Sequence, residues 1–107
     1  MRIESVHYTA TNILNLLSEY KRFHINAYES GCMASLEVKM DLDILLEKSN
    51  LTDRQAEAIN LYYKEGMTQD EVAEVLGVSR IAVRYLLNWA EKKIKNTAEK
   101  WGESDAL

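Results

Sequence analysis

Proline is absent from this chain, and glycine occurs only 4 times. These are the two strongest helix breakers, so their scarcity leaves long stretches free to coil into helices. Cysteine is almost missing too. Cys32 stands alone and cannot close an internal disulfide, which excludes a disulfide-stapled scaffold and suits a reducing cytoplasm. It reads as a small, partly buried apolar residue. No apolar run reaches the roughly 18 residues of a membrane span, so none is expected. Met1 to Thr11 lack an apolar core after a basic stretch, so no signal peptide is expected. His7 and His24 share no ligand spacing with Cys32, which argues against a metal site. A Gly-rich phosphate loop and a nucleophile elbow are also missing. Asp41, Asp43 and Glu47 lie close together but read as helix charge balance and solvation. Neither an enzyme nor a cofactor nor a small-molecule substrate is expected.

What is present is an ordinary globular composition, 47% hydrophobic and 28% charged over 107 residues. That length holds one domain and an appended helical arm. The net charge of −4 is unevenly spread. Residues 1–78 carry a balance of −6, whereas residues 79–101 carry +4 through Arg80, Arg84, Lys92, Lys93, Lys95 and Lys100 against Glu91 and Glu99. Local charge is what a phosphate backbone feels within a Debye length, so the basic end is a candidate DNA footprint; a solvated lysine-rich face would look the same.

Hydrophobic periodicity predicts an all-α fold. A first helix is expected from about Asn12 to Glu29, with Leu14, Leu17, Tyr20 and Phe23 on a broad apolar stripe and a stop at Ser30-Gly31. Residues 32–40 fit either strand or helix, and helix is preferred because no partner strand is visible. A short helix is expected over Asp41–Lys48. Thr52-Asp-Arg-Gln55 and Thr68-Gln-Asp-Glu71 are both capping boxes. The first opens a helix ending at Gly66, the second a helix from Gln69 to Leu76 ending at Gly77. Ser79 then caps a long helix from Arg80 to about Lys100. The expected division is a helical arm over 1–40, a DNA-binding domain over 41–101 and a disordered acidic tail over 102–107.

The stretch from Gln69 to Leu86 has the spacing of a helix-turn-helix. Ala73 is small where the second helix crosses. Gly77, four residues on, can take a positive φ in the turn. Val72, Leu76, Val78, Val83 and Leu86 seal the two helices together. With Leu87 also inward, Arg80, Ile81, Ala82, Arg84, Tyr85 and Asn88 face outward on the second helix. Arginine pairs with guanine edges or phosphates, asparagine with adenine, and Ile81 and Ala82 suit thymine methyl groups. Thr68 and Gln69 open the first helix, where free N–H groups attract a phosphate, although capping already explains Thr68. Lys92, Lys93 and Lys95 lie further along, as phosphate contacts or solvated charge.

From about Asp41 onward the chain resembles region 4 of the sigma-70 family. The residues that carry this are Leu51-Thr-Asp-Arg-Gln, the apolar helix ending at Gly66, Glu71-Val-Ala and Leu76-Gly-Val-Ser79. The resemblance implies promoter recognition through Arg80, Arg84 and Tyr85, an Arg54 near the DNA backbone, and contact with RNA polymerase. Residues 1–40 show no promoter-melting domain. The implied function is therefore a small sigma-like, sequence-specific transcription regulator of a phage or mobile element. It would bind double-stranded DNA as a homodimer or higher oligomer, because one recognition helix covers only a half-site. The alternatives are a DNA-packaging subunit resembling a small terminase and a protein-binding module acting on RNA polymerase.

Overall fold

The computed structural model describes the backbone of residues 13–105 and the side chains of residues 13–100. Among the described residues every regular element is helical. The all-α expectation therefore holds, but four boundaries differ.

The expected first helix is two. α1 spans Ile13–Ser18 and α2 spans Tyr20–Glu29, with a break at Glu19 (φ −101°, ψ 10°). Asn12 lies outside the described residues. The break lets one amphipathic stretch serve two neighbours: α1 packs against the last helix, while α2 runs along α3. α3 is a single helix, Met33–Lys48, so the expected division between residues 40 and 41 falls inside it. Leu42, Leu45 and Leu46 bury one side of α3 while Met33 and Met40 stay exposed, and the strand-like alternation of Leu36, Val38 and Met40 is fortuitous. Asn50, in the left-handed region at φ 55°, turns the chain after α3.

α4, Asp53–Ile59, begins with the expected capping box. The Gln55 N–H donates to Thr52 Oγ1 at 3.2 Å, and the Thr52 N–H donates to Gln55 Oε1 at 3.1 Å. Its last stretch widens into a π-helix over Asn60–Lys64, two residues short of the expected stop at Gly66. α5 spans Gln69–Leu76 behind the second capping box. α6 runs from Arg80 to Asp105. At 26 residues it is about 39 Å long. Residues 102–105, expected as a disordered tail, thus continue the helix, and residues 106 and 107 lie outside the described part. No described helix is long and apolar enough to cross a membrane.

The core does not respect the expected division into arm and domain. Ile13, Leu17 and Tyr20 join Leu42 and Leu45, Ile59, Val72 and Leu76, and Val83, Leu87 and Ile94 in one buried cluster. A polar clamp reinforces the junction. Tyr20 donates its hydroxyl to Asp43 Oδ1 at 2.7 Å, Lys39 donates to Oδ2 at 3.1 Å, and Lys64 of the π-helix pairs with Oδ1 at 2.9 Å. Burial, then the Asp43 carboxylate, pushes the Tyr20 hydroxyl up to about 12. Burial also raises the Asp43 carboxyl, but hydrogen bonds from Lys64, Tyr20 and Lys39 outweigh it and hold the group below its ordinary value. Asp43 is therefore a structural hub, not a solvated charge, and Asp41 beside it is buried. Of the three carboxylates only Glu47 stands exposed as expected.

Candidate nucleic-acid interface

α5, the turn Gly77-Val78-Ser79 and the start of α6 form the helix-turn-helix. Val72, Ala73 and Leu76 bury the inner side of α5 against Val83 and Leu87 of α6. Gly77 sits at φ 68°, ψ 35°. An added Cβ would meet no atom within 4 Å there, so the turn needs glycine for its backbone angle alone. The Val78 N–H donates to the Ala73 carbonyl at 3.1 Å and closes the end of α5. Ser79 caps α6 by accepting the Ala82 N–H at 3.1 Å.

The outer side of α6 carries two parallel rows, each repeating every four residues and so lying along one flank of the helix. One row is Arg80, Arg84, Asn88 and Lys92, all exposed. The other is Ile81, Tyr85 and Trp89, exposed by 65%, 61% and 58%. The structure thus brings six of the expected site residues, Arg80, Ile81, Arg84, Tyr85, Asn88 and Lys92, onto one continuous surface. Trp89 was missing from the sequence reading, although its place four residues after Tyr85 marks it. The Lys92 ammonium lies 5.0 Å from the Trp89 ring centroid and stitches the rows together. Arg80 leans back, its Nε 3.5 Å from Asp70 Oδ1 across the turn, in a largely exposed pair.

The remaining expected residues stand differently. Ala82 is half-buried, and its backbone N–H is taken by the Ser79 cap. Thr68 and Gln69 open α5 as expected, but the Thr68 hydroxyl accepts the Glu71 N–H at 3.2 Å, and the Thr68 N–H donates to Glu71 Oε1 at 2.9 Å. That backbone N–H holds the Glu71 carboxyl below its usual range, and Asp70 adds a second negative charge to the same turn. Both carboxylates oppose a phosphate at this helix end. Arg54 donates from Nη1 to the Leu76 carbonyl at 3.3 Å, satisfying the end of α5. Lys93 is turned inward to Gln55 Oε1 at 2.9 Å and the Asn50 carbonyl at 3.3 Å, tying α6 to the start of α4. On the opposite flank the buried Tyr63 donates to Glu91 Oε2 at 2.7 Å. Burial, then the Glu91 hydrogen bond and charge, raises the Tyr63 hydroxyl far above its ordinary value. These bonds hold α6 rigidly with its two rows facing solvent.

Residues 49–96 match the family described as Sigma-70, region 4. A UPF0122 protein of Desulforamulus reducens is 44% identical over 54 residues, which cover 50% of this chain and 46% of that protein. The matched part therefore spans about half the length of that curated relative. No solved structure matches. The chain carries a sigma-70 region 4-like helix-turn-helix, set in an all-α fold whose first helices close its core.

Proposed function

We propose that the protein is a sequence-specific transcription regulator that reads double-stranded DNA by laying the start of α6 in the major groove. One observation supports this most: the recognition helix of a region 4-like helix-turn-helix presents a solvent-exposed row of Arg80, Arg84, Asn88 and Lys92. Arg84 reads a guanine edge, Asn88 reads adenine, and Arg80 and Lys92 hold phosphates on either side. The +4 balance of residues 79–101 supplies the attraction, while the acidic remainder keeps the other faces off the duplex. The protein acts by binding and not by catalysis. It works as a homodimer on paired half-sites, and its region 4 fold gives it a contact with RNA polymerase. A phage or mobile-element regulator fits this reading.

The test is selection from a random-sequence duplex pool at two salt concentrations, with wild type beside Arg84→Ala. Enrichment of one motif by wild type, lost in the variant, supports the proposal. Salt-dependent binding without a motif points to packaging or architectural work instead. No binding at low salt removes the DNA reading altogether.

A further inference from the structure

The apolar row on α6 is not explained by electrostatic attraction to DNA. Ile81, Tyr85 and Trp89 are each more than half exposed, yet the polar row would suffice to hold phosphates and purines. Three large apolar side chains in file on a water-facing surface lose free energy unless something apolar covers them. They are flanked by Arg84 and Lys92, so the cover must combine negative charge with apolar groups. The major groove offers that combination. Its walls are phosphate, and among the base edges only thymine presents a methyl group.

Resting on the reading above, we infer that Ile81 and Tyr85 contact thymine methyl groups, so that the protein selects sites with thymines on one strand and purines on the other. The geometry supports a division by strand. An A·T pair places the adenine N7 and N6 on one side of the groove and the thymine methyl on the other. Two rows side by side on one helix match the two sides: Arg84 and Asn88 on the purine side, Ile81 and Tyr85 on the thymine side. Ile81 to Trp89 spans about 12 Å along the helix, the rise of three to four base pairs at about 3.4 Å each. Trp89, at the far end, packs against sugar, with the Lys92 ammonium held over its ring towards the adjoining phosphate.

Replacing thymine by deoxyuridine removes one methyl and leaves every hydrogen-bonding group in place. The probe is the duplex selected above, made with thymine or with deoxyuridine on the strand facing the helix. The expected loss in affinity is about fourfold for each contacted methyl. In Ile81→Ala and Tyr85→Ala, both at exposed positions that leave the core intact, the thymine-to-uracil ratio falls towards one. A selected motif without thymines, or one bound equally with uracil, overturns the inference while leaving a sequence-reading regulator standing. Failure to select any motif overturns both.

Discussion

Leu17 is 1% exposed and lies in the same buried cluster as Leu42, Leu87 and Ile94, although it belongs to a six-residue helix far from the helix-turn-helix in sequence. Truncating it to alanine removes apolar contact and leaves a hole walled by α1 and α6. Leucine-to-alanine changes at fully buried sites cost about 2–5 kcal/mol, and a short helix such as α1 can settle partly into the space, so about 3 kcal/mol is expected. In a domain of this size 1 kcal/mol moves the melting temperature by about 4–8 °C, so Leu17→Ala should lower it by roughly 12–24 °C. Thermal and urea unfolding followed by circular dichroism read this directly. Ile25→Ala is the control: Ile25 is 41% exposed, so the change should stay within about 0.5 kcal/mol. If Leu17→Ala melts within about 2 °C of wild type, α1 is not part of the core and the single-cluster description is wrong.

Gly77→Ala should destabilise the protein by about 1–2 kcal/mol through its left-handed backbone alone, and Gly77→Asn by less, as read by urea denaturation. The Asp43 carboxyl titrates below its ordinary value when folded, so its stabilisation is complete above the usual carboxylate range and is lost as pH falls through the folded value. Asp43→Asn should therefore lower stability at neutral pH and flatten the acid limb of a stability-against-pH curve; an unchanged acid limb would contradict the clamp. Arg84→Ala should weaken binding to the selected site by about five- to 150-fold in a fluorescence-anisotropy titration, the range of one lost base contact.

The most legible part of the chain was the part whose signals are local. Thr52 with Gln55, Thr68 with Glu71, Gly77 and Ser79 each act within three or four residues, and the helix starts and the turn appear where those residues place them. Residues 13–40 were harder because their structure is decided by distant partners. The break at Glu19 has no breaker residue; it follows from packing α1 on α6 and α2 on α3. The continuity of α3 through Met40 and Asp41 was obscured by an apolar pattern that fits two periods. The Asp43 clamp joins residues 23 apart on one side and 21 on the other, a distance no spacing rule reaches. Within the site the outward residues of α6 are readable from the 3.6-residue period, although Ala82 is half-buried. Trp89 lies beyond the end of the helix-turn-helix pattern, so only its four-residue step from Tyr85 marks it.

The central claim is that the outward rows of α6 are the surface that meets DNA. Backbone amide chemical shifts of the isotopically labelled protein, followed during titration with the selected duplex, test it most directly. The account predicts that the largest changes fall on residues 79–92, with the α2–α3 hairpin unmoved. Changes centred on residues 20–48 instead, with α6 unaffected, would contradict it.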